Sequence, residues 1–216
     1  MSGVGRRPRA LIVYFSLTGQ TSRVVEGLIS SWSRCGWDTE VCRIHLEDPR
    51  YPLAHPVPGV WRFLLRWIPP QLAHRTGDIR LDPPEPSAEP DLVVIGSPTW
   101  WFNPALPIVS FMQSQHAEGL LQGKPFAVMT ICRSAWAGNL AWVRKRGEAL
   151  GGRFVGHLAF RFPGNTAQSM LAFIHKFKHD RVPTHAWGVP LHPYGIQDDH
   201  LAAIPAFVRK IADELG

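Results

Sequence analysis

Residues 16–21 combine side chains and backbone groups that suit the binding of an anion. Ser16, Thr18 and Thr21 supply hydroxyl groups, and Gly19 allows the backbone to approach a ligand closely. The turn follows an apolar stretch typical of a buried strand and leads into an amphipathic helix, whose first N–H groups have no partner within the helix. Because these N–H groups and the helix dipole attract negative charge, we predict a phosphate group as the ligand.

Two common phosphate-binding motifs are excluded at this turn. No lysine follows Gly19 at the spacing of the nucleoside triphosphate loop, and the G-x-G-x-x-G pattern of dinucleotide-binding turns is missing. A turn without lysine or arginine suits a phosphate monoester on a small cofactor. The alternative is a hydroxyl side chain that only caps the helix.

A second segment, residues 91–103, reads D-L-V-V-I-G-S-P-T-W-W-F-N. Its apolar run is typical of a strand buried on both faces of a parallel sheet. Trp100, Trp101 and Phe102 are consecutive and cannot all enter one core, so we expect at least one of them at the carboxyl end of the sheet. The alternative is a tryptophan-rich loop that packs on its own domain.

These two segments resemble those of flavodoxins and their relatives. In that family an apolar strand and an aromatic residue precede S/T-x-x-G-x-T, and Tyr14, Ser16, Gly19 and Thr21 match this pattern, with Val25 where the family usually has alanine. The segment G-S-P-T-W-W resembles the loop beside the flavin ring. The resemblance implies that the cofactor is flavin mononucleotide (FMN), bound by Ser16, Thr18, Gly19, Gln20 and Thr21 and by Pro98, Thr99, Trp100, Trp101, Phe102 and Asn103.

A third loop follows an apolar strand at residues 125–131 and contains Cys132, Arg133, Ser134, Ala135 and Trp136. Relatives that carry single electrons tend to have glycine and aspartate here, so Arg133 reverses the charge. A cation stabilises an anionic reduced flavin, which would raise the reduction potential and favour two-electron chemistry. A solvated arginine is the alternative. Thr130, Cys132 and Arg133 are the last of the residues that we predict to bind the cofactor.

The charge of the chain also differs from that of the electron carriers it resembles. Lys and Arg number 23 against 17 Asp and Glu, which gives a formal net charge of +6. Flavodoxin carriers are typically acidic and dock on basic partners, which this chain would repel. We therefore expect an acidic partner or substrate, or peripheral contact with a membrane surface, and no nucleic acid. A homodimer is left open.

Composition predicts one domain over residues 1–216, because 45% hydrophobic residues can bury a substantial core. Neither the cysteines nor the late histidines have metal-ligand spacing, so we predict no metal site and a reducing cytoplasm as the location. The residues concerned are Cys35, Cys42, Cys132, His175, His179, His185, His192 and His200. Neither a signal peptide nor a membrane span is predicted.

The strand patterns predict a flavodoxin-like three-layer α/β sandwich. The first, third and fourth strands are apolar throughout, whereas the strands at residues 39–44 and 153–162 contain polar residues as well. In the strand at residues 153–162 the side chains alternate, as in a half-exposed strand. The central strands are therefore the apolar ones, in a five-stranded parallel sheet of order 2-1-3-4-5 with helices on both faces. The loops after strands 1, 3 and 4 then open on one crevice.

Two insertions interrupt this plan, at about residues 47–90 and 163–198. The first holds ten of the twenty prolines and a predicted helix at residues 60–68, with Trp61, Leu64, Leu65 and Ile68 on one face. It is expected to pack beside the sheet, the alternatives being a membrane contact or a substrate lid. The second carries a helical stripe of Met170, Leu171, Ile174 and Phe177, which could wall a substrate pocket over the flavin.

The predicted function is that of an FMN-dependent oxidoreductase. It would pass electrons from NAD(P)H or a protein reductase to a quinone-like or other conjugated organic acceptor, and no catalytic side chain is assigned. One alternative is a flavodoxin-type carrier without its own small-molecule substrate. Others are an enzyme similar to the flavodoxin-like protoporphyrinogen dehydrogenase, or a non-catalytic module resembling proteins associated with dialkylresorcinol condensation.

Overall fold

A computed structural model describes residues 6–53, 56–57, 59–133, 135–162, 165–191 and 194–215. The predicted Ser134 and His192 lie outside these residues. The elements are, in order, β1 (Arg9–Tyr14), α1 (Gln20–Arg34), β2 (Asp38–Leu46), α2 (Val60–Leu72), β3 (Ile79–Asp82), β4 (Leu92–Trp100), β5 (Asn103–Pro104), α3 (Leu106–Met112), α4 (Gln115–Leu121), β6 (Pro125–Cys132), α5 (Ala137–Ala149), β7 (Arg153–Arg161), α6 (Thr166–His179), β8 (His185–Ala186), β9 (Val189–Pro190), α7 (Asp198–Leu201) and α8 (Ile204–Leu215).

The parallel strands run in the order β2-β1-β4-β6-β7, which confirms the predicted order 2-1-3-4-5. β1, β4 and β6 form the middle because their residues are apolar on both faces. The helices α1 and α8 cover one face of the sheet, and α3, α4 and α5 cover the other. These three layers bring the carboxyl ends of β1, β4 and β6 to one edge.

The placement of the second strand at a sheet edge was wrong. β3 pairs antiparallel with β2, from Arg43 opposite Asp82 to Leu46 opposite Ile79. Within the described chain β2 is therefore flanked by β1 and β3, and the sheet has seven strands, because β3 and β5 add to the predicted five. β3 has only four residues and lies among prolines, so its short alternation of Ile79 and Leu81 gave little sequence signal.

The helix in the first insertion exists, but its predicted end and inward face were wrong. α2 continues through Pro69 and Pro70 to Leu72. Pro69 and Pro70 have no N–H to donate to the carbonyl oxygens of Leu65 and Arg66, four residues earlier. Because both of these residues are exposed, water can donate to their carbonyl oxygens instead. Phe63 and Trp67 are buried, whereas in the predicted set Leu64 and Ile68 are half-buried and Trp61 and Leu65 are 74% and 75% exposed.

Helix α6 packs against α2, and together they form what we call the cap. The rings of Phe63 and Phe177 lie 5.5 Å apart, and the N–H of Val57 donates to the carbonyl of Phe177 over 2.7 Å. α6 begins with a capping box between Asn165 and Gln168. Across the described ranges, the helices are too short or too polar to cross a membrane.

Candidate functional site

A cavity of about 400 Å³ opens at the carboxyl ends of β1, β4 and β6. The three predicted loops form one side of it and the cap forms the other. The predicted residues that line the cavity are Ser16, Thr18, Gln20, Thr21, Pro98, Thr99, Trp100, Trp101, Phe102, Cys132 and Arg133. Gly19, Asn103 and Thr130 belong to the same loops and strands but do not line it. The topology therefore brings the three loops together as expected.

The turn at residues 16–21 does not use a hydroxyl side chain as the N-cap of α1. The N-cap residue is Gly19, whose φ of 80° is left-handed, and the closest hydroxyl contact is a long one of 3.4 Å from the N–H of Ser22 to Ser16 Oγ. Ser16 and Thr21 are buried at the cavity wall. The first N–H groups of α1 and the hydroxyl groups thus meet at one small polar surface.

A cation lies next to this turn, although the turn contains none. The Arg43 guanidinium donates to the carbonyl oxygen of Ser16 over 3.1 Å. Arg43 is on β2, opposite Tyr14 in the parallel register. Sequence reasoning missed it because only the pairing of β1 with β2 brings it to the turn. Its positive charge makes the electrostatic potential at the turn more favourable for an anion.

The second insertion returns to this turn through Tyr194 and Ile196. The Gln20 Oε1 accepts the N–H of Ile196 over 2.7 Å, so the side chain of this predicted ligand also holds the backbone of the second insertion. Gly195 has a φ of 100°, and a Cβ there would lie 2.0 Å from the same oxygen. Tyr194 lines the cavity and hydrogen-bonds with Thr18, and burial raises its pKa to about 12. Its phenol therefore stays protonated.

The consecutive aromatics form a tight hairpin in which Trp100 pairs with Asn103. Trp101 and Phe102 have φ values of 45° and 70°, as in a type I′ turn, where glycine or asparagine is usual. This conformation costs roughly 1–2 kcal/mol for each residue. Trp100 packs edge-on against Phe15 at 5.8 Å. Trp101 and Phe102 line the cavity together with Trp100, and Phe102 is 67% exposed at the rim.

A buried amide supports this strained hairpin. The Asn139 Nδ2 donates to the Ser97 carbonyl and to Thr99 Oγ1, over 3.1 and 2.8 Å, and its Oδ1 accepts from the Ser97 hydroxyl. Asn139 lies in the first turn of α5, next to Gly138, where a Cβ would lie 2.6 Å from the Phe102 carbonyl oxygen. Both residues were missed, because their role depends on a contact some forty residues away.

Gln71 fixes the cap to the far side of the same hairpin. Its Nε2 donates to the Pro104 carbonyl over 2.6 Å, and its Oε1 accepts the N–H of Leu106 over 2.9 Å. The side chain is fully buried, and these bonds satisfy both of its polar ends. A polar residue directly after two prolines was the only sequence signal for this contact.

The third loop places Arg133 on the cavity wall. Its guanidinium lies 3.5 Å from Ser169 Oγ of α6, and partial burial lowers its pKa. Burial also raises the pKa of the Cys132 thiol to about 11, which keeps it neutral and weakly reactive. Thr130 is inside the sheet, where its Oγ1 lies 3.0 Å from His157 Nε2. Arg133 is therefore the charged group that this loop contributes.

The cap lines the opposite side of the cavity with apolar groups. Phe63 and Leu64 come from α2, and Phe173, Ile174 and Phe177 come from α6. Leu171 of the predicted stripe is not among the lining residues. No cluster of His, Cys, Asp or Glu suited to a metal ion occurs within the described part of the chain. The site thus joins a polar, cationic end to an aromatic, apolar one.

Comparisons with known proteins relate the chain to others only at the level of structure, since no family model and no curated protein sequence matches it. A flavoprotein from Lactobacillus acidophilus NCFM in complex with FMN superposes with a TM-score of 0.54 at 19% identity, covering 71% of this chain and 93% of that protein.

Two flavodoxins superpose over more of the chain. One is from the domain Archaea, with a TM-score of 0.53 at 13% identity, covering 96% of this chain and 98% of that protein. The other is flavodoxin 1 from Bacillus cereus, with a TM-score of 0.52 at 11% identity, covering 96% and 99%. With the observed strand order and the crevice at its carboxyl edge, the chain has a flavodoxin-like fold.

Proposed function

We propose that this protein binds FMN in the cavity and acts as an FMN-dependent oxidoreductase. The observation that carries the proposal is the joining of two complementary surfaces in one cavity: the hydroxyl turn at the start of α1 and the aromatic hairpin after β4. The first suits a phosphate monoester, and the second suits a flat conjugated ring. The FMN complex of the Lactobacillus flavoprotein supports this choice of cofactor.

The residues present fit this cofactor. Ser16, Thr18 and Thr21 would hold the phosphate together with the first N–H groups of α1, and Arg43 supplies positive charge. Trp101 would contact the flavin ring. Bound flavin supplies the electron transfer, while the protein sets its potential and controls access. Cys132 acts as neither nucleophile nor acid in this proposal, because its thiol is buried and neutral.

The cap supports a small-molecule acceptor. The aromatic side chains of α2 and α6 face the loops across the cavity, which creates an apolar compartment beside the hairpin. A quinone-like or other conjugated organic molecule would bury its apolar surface there. Arg133 would stabilise negative charge that develops on the flavin or the acceptor. NAD(P)H or a protein reductase would supply the electrons.

A second candidate is a flavodoxin-type electron carrier without a small-molecule substrate of its own. Two flavodoxins that superpose over 96% of the chain favour it. The two candidates differ in the use of the compartment under the cap. In an enzyme it holds the acceptor, whereas in a carrier it only shields the cofactor.

The test begins with the visible spectrum of the purified protein and the identity of the flavin released on denaturation. We expect a flavin spectrum and FMN. Oxidation of NADH or NADPH is then followed with a short-chain quinone, with and without an added flavodoxin reductase. Turnover supports the enzyme. A yellow protein that is reduced but fails to pass electrons to quinones supports the carrier, and a colourless protein that cannot be reconstituted with FMN contradicts both.

A further inference from the structure

The outward side of α2 is unusual for a helix that already has a buried side. Phe63, Trp67 and Gln71 face inward and are buried. On the other side large apolar groups are exposed at helical spacings of four and seven residues, with basic groups next to them. We call this side the outer face of α2, and it consists of Trp61, Arg62, Leu65, Arg66 and Leu72.

The exposure of this face is large for apolar side chains. Trp61 is 74% exposed, Leu65 75% and Leu72 53%. Single exposed apolar residues are common on proteins, but a contiguous group of this kind marks an interaction site. The inner residues of α2 already anchor the helix through Trp67 on Trp100 and Gln71 on Pro104. The outer groups therefore add nothing to that anchoring.

The charge of the face selects the kind of partner. Residues 60–72 contain two arginines and no acidic residue. Arg62 and Arg66 are exposed and one helical turn apart, and Arg66 donates to the Arg50 carbonyl over 2.8 Å. Tryptophan and leucine beside arginines on one helix side are the composition that binds at the interface of an anionic bilayer.

The outer face adjoins the mouth of the cavity. Trp61, Phe102 and Met170 both line the cavity and are exposed, at 74%, 67% and 40%, so they form its rim. An apolar rim would cost free energy in water but not against lipid. A ligand that is soluble in the bilayer could then pass from lipid into the cavity without crossing water.

We propose that the outer face of α2 binds the surface of a membrane that contains anionic lipids. Trp61 and Leu65 enter the headgroup region, and Arg62 and Arg66 bind lipid phosphates. The contact is peripheral and reversible, since it uses one short helix lying in the interface. It turns the cavity rim towards the lipid. The membrane contact goes beyond the proposed flavin chemistry and does not depend on it.

The test is sedimentation of the full chain with vesicles of phosphatidylcholine alone, or of phosphatidylcholine with phosphatidylglycerol at three parts to one. We expect binding to the anionic vesicles that weakens as salt rises from about 0.1 M to about 0.5 M. The double variant R62A/R66A should bind about 30-fold more weakly, since each arginine contributes about 1 kcal/mol at such a surface. The double variant W61S/L65S should bind the anionic vesicles at least about ten-fold more weakly than the parent protein.

Two matched controls sit away from this face. Trp187 is 82% exposed in the turn between β8 and β9, and W187S should bind vesicles like the parent protein. Arg144 and Lys145 are exposed on α5, and R144A/K145A removes the same charge as R62A/R66A. Equal losses in the controls and the α2 variants would overturn the assignment to this face, as would equal binding by all proteins.

The oligomeric state separates lipid from a protein partner. Light scattering with size exclusion should give the same mass for the parent protein and W61S/L65S. A dimer that W61S/L65S dissociates would assign the face to a second copy and overturn the membrane proposal, as would absence of vesicle binding by the parent protein. Both readouts are independent of flavin, whose content is measured from the spectrum of the same samples.

Discussion

The two sides of the cavity are built in different ways. On one side, the turn at residues 16–21, the hairpin at residues 100–103 and Arg133 follow strands joined by continuous backbone ladders. On the other side, α2 and α6 are held mainly by aromatic contacts such as Trp67 on Trp100 and Phe63 on Phe177. Backbone ladders fix where a loop must lie, whereas side-chain packing decides which way a helix faces. The cap should therefore loosen more easily than the sheet.

The sharpest test of this difference is replacement of Trp67 by alanine. Trp67 is fully buried and its ring lies 5.5 Å from those of Trp100, Phe63 and Tyr51. We expect the change to remove about 3–5 kcal/mol of packing free energy. Hydrogen exchange should accelerate in α2 and α6, while amides in β1 and β4 stay protected.

The same helix offers the control, since Trp61 is 74% exposed. Trp61→Ala should change the free energy of unfolding by less than about 0.5 kcal/mol. If Trp67→Ala accelerates exchange in β1 and β4 as much as in α2, the cap and the sheet form one cooperative unit and the contrast between them fails.

A pH titration tests the sheet side through His157. Burial lowers the pKa of His157 to about 4 from an ordinary value of 6.5. Above pH 6.5 the imidazole is neutral in both states, but between pH 6.5 and 4 the unfolded chain binds the proton first, so stability falls as pH falls. The loss reaches about 3 kcal/mol near pH 4.

Comparison of variants isolates this effect from other titrating groups. His157→Gln should flatten the fall in unfolding free energy between pH 6.5 and 4, as measured by urea denaturation. His116→Gln, at an exposed position on α4, should leave the parent pH profile in place. A steep profile retained in His157→Gln would assign the fall to other residues.

A smaller effect is expected at Gly19, the N-cap of α1 in the turn at residues 16–21. A Cβ there would contact nothing within 4 Å beyond its chain neighbours, so substitution acts through its φ of 80° alone. Gly19→Ala should cost about 1–2 kcal/mol and weaken FMN binding about ten-fold. Gly19→Asn should cost less, because asparagine tolerates this conformation better. Equal affinities for the parent and the alanine variant, measured by fluorescence titration, would show that the turn tolerates movement.

The smallest predicted effect concerns Arg133, the charged contact between the third loop and α6. Arg133→Gln removes a cation from the cavity wall and should lower the midpoint potential of bound flavin by on the order of 20 mV. Arg133→Lys keeps the charge and should restore much of the difference. A potential that is unchanged in Arg133→Gln would place the guanidinium too far from the flavin to affect it.

The part of the structure that the sequence predicted is the part fixed by backbone ladders. The apolar runs ending at Tyr14, Gly96 and Ile131 identified the central strands, and their order then brought three loops to one cavity. Helix α8 shows the same simplicity, since its stripe of apolar residues faces a single core and Pro205 lies in its first turn.

The inward face of α2 could not be predicted, because the helix has apolar residues on all sides. Which side is buried depends on residues distant in the sequence. Trp100 and Phe177 select Phe63 and Trp67 as the inner residues. Arg43 and Tyr194 were missed for a similar reason, since only tertiary structure brings them to the turn. Local periodicity carries no information about such contacts.

The central claim is that the turn at residues 16–21 holds the phosphate of FMN while the aromatic hairpin holds its ring. The most direct test compares the affinities of flavin-free protein for FMN and for riboflavin, which has the same ring and no phosphate. Charged hydrogen bonds contribute about 1.5–3 kcal/mol each, so FMN should bind at least about a hundred-fold more tightly. Equal affinities for the two, or no binding of either, would contradict the claim.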